Sequence, residues 1–137
     1  MSLFLEIITP SKSFYSGEVN AVTVPGTLGS FQVLQNHAPI ISTLEIGAIK
    51  IEKTDKTAGY FATSGGTVEV MKNRVRILAD SVEAVENIDV DRARRALERA
   101  QKRLQEREEN LNVARAEASL ARAMNRIKLA EKNLVNH

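Results

Sequence analysis

The chain contains no cysteine and no tryptophan. Without thiols it has no disulfide, no thiolate nucleophile and no cysteine-ligated metal, so redox chemistry is excluded while the compartment stays open. Aromatic residues make up only 4% of the chain, which leaves no stacking surface for nucleic acid. A net charge of +2 is likewise too small for electrostatic wrapping of a polyanion. No apolar run approaches the ~20 residues of a membrane span, and the opening MSLFLEIITP lacks a basic n-region and a small-residue cleavage site. The expectation is therefore no direct membrane insertion, any membrane association coming through partners. What is present, 43% hydrophobic and 26% charged residues over 137 positions, fits a folded soluble unit with an appendage rather than two large cores.

From Leu3 to about Val85 the sequence reads as short strands. Alternation is plain in Val19-Asn20-Ala21-Val22-Thr23-Val24, in Ala48-Ile49-Lys50-Ile51-Glu52 and in Val75-Arg76-Ile77-Leu78. Turn signals separate the runs: Pro25-Gly26, Gly29, Pro39, Gly47, Lys53 to Thr57, Gly59, Gly65-Gly66 and Lys72-Asn73. No helical period competes here, so residues 1–85 are expected to form an all-β sandwich or barrel.

After Asn87, Gly and Pro vanish and Ala, Arg, Glu and Leu dominate, so residues 86–137 read as helix. Asp89 can accept the free amides of a first turn as N-cap, and Val90, Ala93, Leu97, Ala100 and Leu104 then make one apolar stripe. The polar stretch Glu108-Glu109-Asn110-Leu111-Asn112 suggests a reversal, a continuous helix being the alternative. Beyond it Val113, Leu120, Ile127 and Leu134 repeat every seven residues, with Ala116, Ala123 and Ala130 between them. A hairpin with so narrow and alanine-rich a stripe gains little from its own packing, which permits rearrangement.

Charge is unevenly shared. Residues 1–84 carry 7 Lys/Arg against 8 Asp/Glu, a net of −1; residues 85–137 carry 12 against 9, a net of +3. Arg92 and Arg99 stand seven apart, as do Arg115 and Arg122, with Arg126 one turn further. Two readings follow: a solvated face interleaved with Glu98, Glu106, Glu117 and Glu131, or a surface whose guanidinium forks hold phosphate or carboxylate. His37 has no second histidine or cysteine nearby, so its reading is structural or interfacial and no metal site is expected. Gly65-Gly66 reads as a tight turn, and Ser64, Asp80 and Glu83 supply no nucleophile with a credible base. With no G-x-x-x-x-G-K-[ST] loop, any nucleotide would be bound without a phosphoryl-transfer apparatus.

Three stretches carry a family resemblance: Gly29-Ser30-Phe31-Gln32-Val33-Leu34-Gln35-Asn36-His37-Ala38-Pro39; Ser64-Gly65-Gly66-Thr67-Val68-Glu69-Val70; and Ile88-Asp89-Val90-Asp91-Arg92-Ala93. Together with the order of the halves, they resemble the epsilon subunit of bacterial F-type ATP synthases over essentially the whole chain. The sequence departs from the family pattern at Gln35-Asn36, where Pro-Gly is commoner, and lacks an acidic residue in Gly26 to Ser30. Asp91 adds a carboxylate within a turn of the expected phosphate contacts.

The resemblance implies an α+β chain: a sandwich of about ten strands followed by an antiparallel two-helix hairpin. It further implies a non-catalytic rotor subunit at the cytoplasmic face of the bacterial inner membrane, peripheral, within the F1 sector. The sandwich would couple the gamma subunit to the c-ring, with Gly29, Ser30, Phe31, His37 and Pro39 as interface candidates. The hairpin would inhibit ATP hydrolysis by reaching the alpha and beta catalytic subunits. In ATP-binding members the folded hairpin holds the nucleotide, and Glu83, Ile88, Asp89, Arg92, Ala93, Arg99, Arg115, Arg122 and Arg126 become contacts by resemblance. ATP is then a regulatory ligand rather than a required cofactor, with no clear need for Mg²⁺. The rivals are a stand-alone nucleotide-sensing adaptor, which would not co-purify with a stalk, and a nucleic-acid binder, which would show a steep salt dependence.

Overall fold

The computed structural model describes residues 3–106 and 112–135. The chain divides into two compact units, Met1–Ala84 and Val85–His137. Among the described residues the first holds nine strands, in keeping with the sandwich of about ten implied by resemblance: β1 (Leu3–Ile8), β2 (Ser13–Gly26), β3 (Gly29–Val33), β4 (Ile40–Leu44), β5 (Gly47–Lys53), β6 (Ala58–Thr63), β7 (Gly66–Met71), β8 (Arg74–Ala79) and β9 (Val82–Ala84). Their period of two is visible in burial. Leu3, Leu5 and Ile7 of β1 are fully buried, as is Ile77 of β8, while their neighbours Glu6 and Arg76 face outward.

Hydrogen bonding orders the strands in two layers that share β2. Its first half pairs with β1, which lies parallel to β8; β8, β7 and β4 follow antiparallel. Its second half pairs with β3 on one side and β5 on the other, and β6 and β9 complete that layer. The core between the layers is built from side chains of this unit alone, among them Leu5, Val22, Ile49, Ile51, Val68 and Ile77. Pro25-Gly26, read from sequence as punctuation, instead closes β2, and the turn falls on Thr27-Leu28. Pro25 is tolerated there because its position opposite Ser30 asks no N–H of the ladder to β3, while its carbonyl accepts from the Glu45 amide at 2.8 Å. At the β7–β8 corner Lys72 and Asn73 both take positive φ, 49° and 62°, the signature of a two-residue primed turn.

In the second unit a 3₁₀ turn, Val85–Asn87, precedes α1 (Val90–Glu106) and α2 (Val113–Val135). The expected reversal at 108–112 lies outside the described residues except for Asn112. That residue caps α2, its Oδ1 accepting the Arg115 amide at 3.0 Å. Buried alanines mark the seam: Ala93 and Ala100 on α1, Ala116, Ala123 and Ala130 on α2. The helices are antiparallel, since Arg94 near the start of α1 meets Glu131 near the end of α2 at 3.2 Å. With seven-residue spacing on both helices, Ala93 stands level with Ala130 and Ala100 with Ala123. Leu97, Leu104, Leu120 and Ile127 are only half-buried, and Val113 is exposed.

Candidate functional site: an uncharged β face and an arginine strip

Between Glu18 and Glu45 the chain carries no Asp, Glu, Lys or Arg at all. This stretch, residues 19–44, also displays Leu28 at 102% relative exposure, Ile41 at 76% and Leu34 at 52%. A run without charge that exposes large apolar side chains is characteristic of the core of a protein–protein interface, and the exposed Glu69 of β7, opposite Ile41, lies at its margin. The five interface residues named from sequence lie in the run. Gly29, with φ 132°, and Ser30 follow the Thr27-Leu28 tip; Phe31 and His37 are half-buried, their rings 6.5 Å apart; Pro39 is exposed. His37 Nδ1 lies 2.7 Å from the Ala38 carbonyl, and among the described residues no three His, Asp or Glu side chains gather as a metal site. The His37 turn is clasped to the β7–β8 corner. Asn36, at φ 64°, donates its amide to Asn73 Oδ1 at 2.6 Å, and Asn73 Nδ2 donates back to Asn36 Oδ1 at 3.3 Å.

The nine residues expected around a nucleotide distribute over both units. Glu83 sits on β9 opposite Ala62 in the first unit. In the second, Ile88 is buried and Asp89 is engaged as the α1 cap, its Oδ1 accepting the Arg92 amide at 3.1 Å and its carbonyl the Ala93 amide at 3.0 Å. Asp89→Ala is therefore expected to cost about 1 kcal/mol of hairpin stability, read as earlier loss of helical circular dichroism in urea, with Asp89→Asn close to unchanged. Ala93 is fully buried in the seam, so its methyl serves helix packing.

The arginines form a definite pattern. Residues one position after the seam alanines meet across the hairpin, as Arg94 and Glu131 do. In an antiparallel pair the residues one position before them share the opposite side, and these are Leu129 and the four arginines Arg92, Arg99, Arg115 and Arg122. All four are exposed and none pairs with a described carboxylate; Arg122 donates only to Ser119 Oγ at 3.0 Å. Arg99 and Arg122 come to one level of the hairpin, with the half-buried Arg126 one turn further along α2. Arg92 stands about 10 Å along the axis from Arg99, and Arg115 about 24 Å from Arg92 on the 1.5 Å rise per residue. The strip thus gathers a cluster of three flanked by two outliers. The exposed guanidinium groups of Arg92, Arg99, Arg115 and Arg122 attract phosphate and carboxylate, and the nearest opposing charges in sequence are Asp91 before Arg92 and Glu98 before Arg99, both exposed.

From sequence, no site role falls to Leu28, Leu34, Ile41 or Asn73, nor a pairing to Arg94 and Glu131. For the first three the signal was available: a run of residues 19–44 without charge, in a chain where charge is 26%, can be counted without a structure.

Two family models match: the beta-sandwich domain of the ATP synthase delta/epsilon chain over residues 2–85, and its long alpha-helix domain over residues 86–131. The ATP synthase epsilon chain of Nitratidesulfovibrio vulgaris (strain DP4) is 48% identical over 103 residues, covering 75% of this chain and 76% of that one. That of Desulfitobacterium hafniense (strain DSM 10664 / DCB-2) is 46% identical over 104 residues, covering 76% and 78%. Among solved structures, a chain of the Euglena gracilis mitochondrial ATP synthase, OSCP/F1/c-ring, shares the fold with TM-score 0.81 at 21% identity, covering 99% of this chain and 82% of its own. With the two units matched in order along almost the whole sequence, the chain belongs to the ATP synthase epsilon-chain family.

Proposed function

We propose that this chain is a non-catalytic subunit of the central stalk, that its β unit couples the gamma subunit to the c-ring through the uncharged face, and that its hairpin restrains ATP hydrolysis. The hairpin reaches the alpha and beta subunits when unfolded from its antiparallel pairing and holds ATP when folded. The chain sits peripherally, on the cytoplasmic face of the bacterial cell membrane, and reaches it only through partners. Support for a stalk position comes from the solved relatives, whose assemblies are described as OSCP/F1/c-ring and central stalk/c-ring.

The observation that carries the regulatory half is the exposed row Arg92, Arg99, Arg115 and Arg122. A solvated helix face ordinarily interleaves its charges; here the cross-hairpin ion pair Arg94–Glu131 lies on the other side. ATP that binds only the folded pair opposes any other arrangement by its differential affinity, about 2.7 kcal/mol at one hundred times Kd. ATP therefore relieves inhibition.

A calorimetric titration of ATP into the full chain, with and without Mg²⁺, tests this. One-to-one binding is expected, weakened about tenfold or more in Arg99→Ala and Arg126→Ala, which corresponds to ~1.4 kcal/mol or more. Absence of heat at millimolar ATP would leave a coupling subunit whose hairpin answers to another anion.

A further inference from the structure

The layer β3-β2-β5-β6-β9 ends in two strands of opposite character. At one end β9 is three residues long and carries Glu83, the short charged edge by which proteins discourage unwanted pairing. At the other end β3 is five residues, Gly29-Ser30-Phe31-Gln32-Val33, with no charge, no proline and no shift of register against β2. Among the described residues no strand pairs with its far edge.

The groups on that edge follow from the register. Pro25 stands opposite Ser30 and has no N–H, and its carbonyl accepts from Glu45 on the side away from β3. Pro25–Ser30 is thus a non-hydrogen-bonded pair, and Thr23–Gln32, two residues along, is another. Thr23 accordingly pairs outward with Lys50 of β5. By the same alternation the N–H and C=O of Ser30 and Gln32 point away from β2, onto the open edge. The Ser30 hydroxyl donates back to the Val24 carbonyl at 3.2 Å and so belongs to the β2 side. β4, the edge of the other layer, is tied to the end of β2 by Thr27 N–H to Thr43 O at 3.0 Å and by Glu45 N–H to Pro25 O.

We infer that the free edge of β3 is a strand-addition site, where an extended, uncharged segment of the F1 stalk pairs through the backbone of Ser30 and Gln32. The groups offered are ladder groups, which only an extended backbone satisfies at both positions. The segment is uncharged because residues 19–44 provide no counter-charge, and a charge desolvated there would have no partner. This rests on the reading of the uncharged face as the partner surface, and it names the main-chain part of that contact.

Amide hydrogen exchange of the full chain, alone and bound to F1 depleted of this subunit, is the test. Ser30 and Gln32 amides are expected to exchange rapidly in the free chain and about tenfold or more slowly in the complex, the factor that one well-made hydrogen bond supplies. Gln32→Pro, which removes the edge donor at a position where proline is tolerated, is expected to bind about tenfold more weakly, while Gln32→Ala stays within about threefold of the unmodified chain. Should the proline variant fail to fold, exchange in the unmodified complex decides alone. Binding with both amides exchanging as in the free chain overturns strand addition and leaves the partner surface standing. Failure of the unmodified chain to bind depleted F1 removes the surface reading and strand addition together.

Discussion

Deleting residues 86–137 is expected to abolish inhibition of ATP hydrolysis while leaving a folded β unit that still binds the stalk. The division is physical before it is functional. Every member of the hydrophobic core, from Leu3 to Ala79, lies within the first unit, as do the half-buried side chains packed on it: Phe14, Tyr15, Phe31, Val82 and Ala84. Nothing in that core is lost by the cut. The whole arginine strip, by contrast, is removed. Depleted F1 given the truncated chain should hydrolyse ATP at its uninhibited rate, and ATP should no longer modulate that rate. Persistent inhibition would place the regulatory element in the β unit; loss of stalk binding by a folded truncation would refute the division of labour.

Gly66→Ala is expected to destabilise the β unit by about 3 kcal/mol or more, combining a strained backbone with overpacking. Gly66 opens β7 with φ 142°, a conformation that a side chain rarely adopts. A Cβ built there falls 2.0 Å from the Leu78 carbonyl oxygen and 2.9 Å from Ala79 Cα, backbone atoms held by the β7–β8 ladder. Gly29→Ala is the informative comparison, because its φ of 132° is also positive but a Cβ meets nothing within 4 Å. Urea denaturation of both variants separates the steric term from the conformational one: equal losses would mean that the close approach at Gly66 relaxes.

The strands were legible because alternation survives in burial wherever one face meets the core, as in Leu3-Phe4-Leu5-Glu6-Ile7. Asp89 was legible as a cap because a short acceptor before an apolar period has few other uses. Pro25-Gly26 misled because proline interrupts a strand only where its missing N–H is needed, and the Pro25–Ser30 pair does not need it. The hairpin offered two stripes at seven-residue spacing, one of alanines and one of Val113, Leu120, Ile127 and Leu134, and periodicity alone cannot rank them. The structure buries the alanines, because small side chains let two backbones approach where larger ones would hold them apart. The side of the hairpin on which the arginines gather was beyond the sequence altogether, since it depends on the antiparallel register that the Arg94–Glu131 contact reports. The Asn36–Asn73 clasp joins residues that only the fold brings together.

The membership of β2 in both layers has a mechanical side. A load applied at the Thr27-Leu28 tip is carried by β2 and β3 together and, directed along β2, meets the ladder to β5 and then, past the register shift between Val19 and Ala21, the ladder to β1. Those bonds run perpendicular to the pull, so they are loaded in shear and share the force, whereas a strand peeled from an edge surrenders its bonds one after another. The tip is in this sense a rigid handle anchored through the full thickness of the unit. A torque delivered there turns the β unit as one piece instead of bending its end.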